Sequence, residues 1–135
     1  MSLRPPDLVG RWRLDRSLHD RRAGTWGCLH GQLLVRASGP ALRWQESGLL
    51  RWDSRVSPAT RTYLLVPAPG GGWDVLFDDG RFFHAWTPGV RVRHECGRDV
   101  YFGLVEGSAV RPRVRWRVSG ATKDLDLVTR LRRLG

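Results

Sequence analysis

Arg111-Pro-Arg-Val-Arg-Trp-Arg-Val118 is the stretch that decides the fold. Arg111, Arg113, Arg115 and Arg117 occupy one parity and Val114, Trp116 and Val118 the other. A two-residue period belongs to a strand with one face in a core and the other in solvent, so the Val and Trp side chains are expected to point inward. Outward from this stretch the same alternation recurs between breaks made by Gly and Pro, such as Gly39-Pro40, Pro67 to Gly72, Pro88-Gly89 and Gly107. Strands are expected near 9–16, 25–37, 41–47, 49–55, 60–66, 72–78, 81–87, 90–96, 99–106, 111–118 and 124–133, with some neighbours fused, which gives eight to ten. Pro67 to Gly72 reads as a hairpin connection and Asp78-Asp79-Gly80 as a tight turn. Consecutive hairpins predict an all-β, antiparallel up-and-down meander. Leu125, Leu127, Thr129 and Leu131 fit a strand, whereas Leu125, Val128, Leu131 and Leu134 fit a helix. The strand is preferred, because such a sheet closes into a barrel only when its last strand pairs with its first. Ser17, with Asp20 three residues later, predicts a short helix or lid over 17–24.

The 135 residues, 41% apolar and 27% charged, suit a single domain over 1–135. The sequence shows neither a long apolar run nor a basic-then-apolar leader, so no membrane span and a cytoplasmic location are expected. Of 23 basic residues only Lys123 is Lys, and Ile and Asn are missing altogether. Codons for the scarce residues are rich in A and T, so the Arg excess reports a G+C-rich genome first. The net charge of +10 is a separate constraint and favours anionic partners. Cys28 and Cys96, far apart and without a C-x-x-C, are expected to be free thiols.

Three strings in the second half carry a resemblance: Asp79-Gly-Arg-Phe-Phe-His84, His94-Glu-Cys-Gly-Arg-Asp99-Val-Tyr101 and Trp116-Arg-Val-Ser-Gly120-Ala-Thr-Lys123. With Gln45-Glu46-Ser-Gly48 and Arg61-Thr-Tyr63, they resemble an uncharacterised, mainly bacterial family of small lipocalin-like (calycin) domains, over about residues 8 to 131. Gly10-Arg-Trp12 looks like the Gly-x-Trp start of such barrels, and a late Arg such as Arg130 is similar to the residue that covers that Trp in them. Ala121 stands where the resemblance places Pro. The resemblance implies a fold and a set of positions, Glu46, Arg61, Tyr63, Arg81, Cys96, Asp99, Trp116 and Lys123 among them as ligand-contacting candidates, but no activity and no cofactor.

Parity then predicts which side chains meet. Val90, Val92, His94 and Cys96 share a face expected to point inward, and Phe82, His84 and Trp86 share another. Asp99, Tyr101 and Gly103 lie opposite Val100, Phe102 and Leu104, with the inward side left open by a bulge at Gly97. If the strands pair in order, His84, His94 and Tyr101 converge on one cavity, with Arg61 and Tyr63 entering from across it. An apolar wall with a few convergent polar groups is the composition of a pocket, and Trp12, Trp44, Trp73, Trp86 and Trp116 either fill the interior or line that wall. An inward Arg61 would need Glu46, Asp99 or an anionic ligand, because an unpaired buried guanidinium is costly. Cys28-Leu-His30 and His94-Glu-Cys96 each place two zinc-type ligands on one face, but Cys28 and His30 are expected outside and the other pair inside, so no metal site is expected.

Two functions compete on this cluster. The first is a small-molecule-binding barrel for a partly apolar, anionic ligand. The alternative is a cofactor-independent isomerase, cyclase or dehydratase with His84, His94 and Tyr101 as acid and base groups. Phosphate-cradling and dinucleotide motifs are absent. On the outer face, the comb of Arg111, Arg113, Arg115 and Arg117 reads as a solvated wall or a surface for an acidic carrier protein. Nucleic acid ranks last there, because no aromatic residue alternates with these Arg on the outer face, so the stacking platforms of single-strand binders are expected to be absent from it.

Overall fold

The computed structural model describes Leu3–Gly135. Ten antiparallel strands follow a short 3-10 turn at Pro5–Leu8: β1 (Gly10–Asp20), β2 (Thr25–Ser38), β3 (Ala41–Trp52), β4 (Arg55–Pro67), β5 (Trp73–Phe77), β6 (Phe82–Trp86), β7 (Val92–Cys96), β8 (Asp99–Gly107), β9 (Pro112–Gly120) and β10 (Asp124–Arg133). The expected segments 41–47 and 49–55 merge into β3. Hydrogen-bonded order is β6-β5-β4-β3-β2-β1-β10-β9-β8-β7, so the last strand does pair with the first. The sheet is a nearly closed all-β barrel. Among the described residues no ladder joins β6 to β7, and this seam interrupts the otherwise unbroken run of hairpins.

One end of the barrel is plugged by the 3-10 turn, whose Pro5 and Leu8 are buried with Leu3. Beneath them Trp12, Leu14, Leu33, Val35 and Leu65 form a core with almost no exposure. Trp12 Nε1 donates to Leu8 O at 2.8 Å, which fixes the plug to β1. The guanidinium that covers the Trp12 ring, 4.1 Å from its centroid, belongs to Arg133. Arg130 does not take that place: Trp12 is the register partner of Arg133, and Arg130 lies three residues away on the outer face.

Three local expectations are corrected. Residues 17–20 continue β1 and 21–24 form a turn, so no helix or lid occurs over 17–24; Asp20 accepts from the Arg22 and Ala23 backbone N–H groups and closes that turn. Gly97, at φ 61°, sits in a two-residue turn between the paired Cys96 and Asp99, and parity passes through it unchanged. The bulge lies instead between β5 and β6, where the register steps from Val75↔His84 to Leu76↔Phe82. The extra residue, Phe83, turns inward beside His84, while Phe82 is thrown outward at 56% exposure.

Candidate functional site

Beyond the Trp12 core the barrel encloses a cavity of about 160 Å³. The wall is largely aromatic: Trp44 from β3, Phe83 and Trp86 from β6, and Trp116 from β9. Phe83 stacks on Trp116 with centroids 4.9 Å apart and planes 13° from parallel, and Trp44 meets Trp86 at 6.2 Å. The β5–β6 bulge makes this wall, because only an irregular strand can direct the consecutive Phe83 and His84 to one side. Gly103 on β8 faces the Trp116 indole directly, and a Cβ there would overlap the ring.

Along one side of the cavity the polar groups satisfy each other. Arg16 Nη2 donates to both Glu46 carboxylate oxygens, at 2.9 and 3.0 Å, and Arg16 Nε donates to Thr129 Oγ1 at 2.6 Å. Trp44 Nε1 donates to Glu46 Oε2 at 2.9 Å. A carboxylate buried to 6% exposure is therefore paired and hydrogen-bonded, which is the condition for tolerating it there. Sequence reasoning missed Arg16 and Thr129, yet parity held the signal: Arg16 shares a face with Trp12 and Leu14, and Thr129 with Leu127 and Leu131.

Arg61 was expected to be the guanidinium inside. It is exposed, lies at the cavity's edge with its guanidinium 5.8 Å from the Tyr63 ring centroid, and faces Glu46 in the ladder without taking that carboxylate from Arg16. Being solvated, it needs no buried counter-ion. Tyr63 is half-buried, and burial pushes its phenol above the ordinary range, so it stays a neutral hydroxyl. His84 is buried, and burial holds its imidazole below the ordinary value. Its Nδ1 lies 2.8 Å from Ala85 O; a carbonyl only accepts, so Nδ1 carries the proton and Nε2 keeps a lone pair.

Of the residues singled out from the sequence, Glu46, Arg61, Tyr63, His84, Tyr101 and Trp116 line this one cavity. His94 does not; it packs at the β6–β7 seam against Phe77, Phe83 and Tyr101, with centroids 5.0 to 6.2 Å away. Cys96 is exposed at the tip of the β7–β8 hairpin, contrary to the expected inward pair with His94. Arg81 is exposed in the turn before β6, bound to Asp79, and Lys123 is exposed in the turn before β10, where Gly120 N–H donates to Lys123 O and Arg22 to Ala121 O. Asp99 pairs with Gly120 at the start of β8, outside the cavity lining. Cys28 and His30 lie on the outer face, His30 Nδ1 2.7 Å from Asp15 Oδ1. Among the described residues no group of three or more His, Cys, Asp or Glu could hold a metal ion.

The family model described as a family of unknown function (DUF6314) matches residues 8–133. The chain belongs to that family. No curated protein matches it. A solved structure, that of the S-type phycobiliprotein lyase CPES from Guillardia theta, superposes on 97% of this DUF6314 chain and 90% of its own, with a TM-score of 0.68 at 11% identity. What is shared at that identity is the fold, a lipocalin-like barrel. Among the described residues no helix is long and apolar enough to cross a membrane.

Proposed function

We propose that this DUF6314 barrel binds a small, partly apolar, anionic molecule, with the apolar part among Trp44, Phe83, Trp86 and Trp116 and the anionic group at Arg61. The observation that carries this reading is the balance of charge around the cavity. Arg16 and Glu46 neutralise each other, whereas Arg61 has no carboxylate partner among the described residues. An anion that seats on Arg61 gains a charge-assisted contact without breaking the Arg16–Glu46 pair. Size adds a limit. A cavity of about 150 Å³ is known to take one benzene ring, and drug-sized sites start near 300 Å³, so the enclosed part of the ligand is about one ring. The likeness to a phycobiliprotein lyase supports a barrel that handles small molecules.

Calorimetric titration with benzoate and with benzyl alcohol, its uncharged analogue, tests this. Benzoate is expected to bind at least fivefold tighter, and Arg61→Gln to bring the two together. Equal affinity in the unmodified protein would refute the anion-binding part, and no heat from either would refute the cavity's role. A second reading has one specific support, the unprotonated Nε2 of His84 in one cavity with the hydroxyls of Tyr63 and Tyr101, which could shuttle a proton without a cofactor. On that reading His84→Gln abolishes turnover while ligand affinity stays within about tenfold, or about 1.4 kcal/mol.

A further inference from the structure

The outer wall made by β8, β9, β10, β1 and β2 carries a second arrangement, independent of the cavity. Its register sets Arg13 directly opposite Arg132, and Arg113 opposite Arg130. Like charges facing each other across a ladder weaken a sheet, so two such pairs side by side call for a compensating anion. Asp15 pairs with Arg13 and faces Arg130 in the β1–β10 ladder, and Glu106 pairs with Arg113, but among the described residues no carboxylate lies within ion-pair distance of Arg130 or Arg132. Farther along the same wall, Arg115 and Arg117 continue the comb at the strand spacing of about 6.7 Å, Arg115 beside Glu106 and Arg117 paired with Asp124 and Asp126.

The rings that the comb lacks within its own strand arrive from neighbouring strands, which corrects the expectation that stacking platforms are absent from this face. Phe102 on β8 is the register partner of Arg117, and the Arg91 guanidinium sits 4.6 Å from its ring centroid. Trp26 on β2, 64% exposed, stacks on His19 with centroids 3.9 Å apart and planes 3° from parallel. Between Phe102 and Trp26 runs a solvent-open groove of about 620 Å³, with the outward apolar side chains Leu104 and Val128 along it. Four ladder steps separate the strands of the two rings, about 19 Å at 4.8 Å per step, with Arg115, Arg117 and the Asp126 carboxylate, itself paired with Arg21 and Arg117, between them.

We propose that this wall binds single-stranded nucleic acid, with phosphates held by the opposed pairs Arg13/Arg132 and Arg113/Arg130, and with bases stacked on Phe102 and Trp26. Guanidinium rows alone would serve any acidic chain. An exposed Trp26 and a half-buried Phe102, four residues along the strands from the Arg113/Arg130 pair, favour a polymer that carries a flat π-face on every unit, since base stacking on aromatic side chains tolerates any sequence.

Fluorescence anisotropy of a labelled deoxythymidine 12-mer with the full chain provides the test. For four phosphate contacts, affinity is expected to fall about 50-fold between 50 and 200 mM NaCl, from a log–log slope of about −0.7 per contact on single strands. The double variant Arg130→Gln/Arg132→Gln should make that slope shallower by about 1.4. Phe102→Leu should weaken binding about tenfold and leave the slope unchanged. Arg43→Gln, on β3 beside Asp78 and away from this wall, should change neither. Urea midpoints confirm that each variant is folded. Absence of binding to 0.1 mM protein at 50 mM salt would overturn the proposal. So would an unchanged slope in the double variant, or a glutamate 12-mer that competes as well as the unlabelled oligonucleotide, since that would mark the wall as an acidic-peptide surface.

Discussion

Arg16 and Glu46 face each other inside the barrel, so each is the other's reason for being tolerated there. Removal of one partner strands the other charge, and Glu46→Gln is expected to cost about 3 kcal/mol in urea unfolding. Replacing both, as Arg16→Met with Glu46→Leu, should recover most of that loss, because the desolvation cost leaves with the charges. His84 gives a pH signature. Burial holds its folded-state value below the ordinary 6.5, so between these values the unfolded chain binds the extra proton more readily. Its contribution is complete above about pH 6.5 and is lost as pH falls through the folded-state value. The urea midpoint should therefore drop between pH 7.5 and 5.5, and His84→Gln should flatten that part of the profile. At this scale the sequence held a signal that went unread: Glu46 shares parity with Leu42 and Trp44, and Arg16 with Trp12 and Leu14. It could not say that the two would bond to each other, because β1 and β3 are separated by β2 and meet only across the interior.

Among the elements, the long β2 and β3 were legible as alternating runs, and their closest approach explains two glycines within them. Gly31 and Gly48 are register partners, and a Cβ at either would collide with the facing backbone, Ser47 O in one case and His30 O in the other. Gly31→Ala or Gly48→Ala is expected to lower stability by more than about 2 kcal/mol, a value well above an ordinary surface exchange, and thermal denaturation would show it. Gly103 works on the site instead. Gly103→Ala would displace the Trp116 indole, so benzoate affinity should fall at least fivefold while the rest of the barrel keeps its fold. The β6 strand was read correctly as an element and wrongly as a face. Its bulge depends on how β5 and β6 share a turn, and strict alternation in one strand carries no trace of that.

At the scale of the whole molecule, the seam between β6 and β7 sets the distribution of local stability. These strands hold each other through rings, Phe77 and Phe83 against His94, with no ladder among the described residues. Amide exchange should therefore be fastest on the unpaired edges of β6 and β7 and slowest in β1, β2 and β3, which are paired on both sides. Uniform protection around the barrel would show that the seam closes in solution. By itself the sequence determined an all-β meander, the pairing of the last strand with the first and the outward comb of Arg. All three follow from a two-residue period and from turn residues, which act locally along the chain. Only the tertiary structure decided the rest: that Arg16 and not Arg61 reaches the buried Glu46, that His94 and Cys96 stay out of the cavity, and that Phe102 and Trp26 join an Arg face built on other strands. Each of these depends on contacts between strands distant in sequence, and curvature and register set such contacts only once the sheet has rolled up.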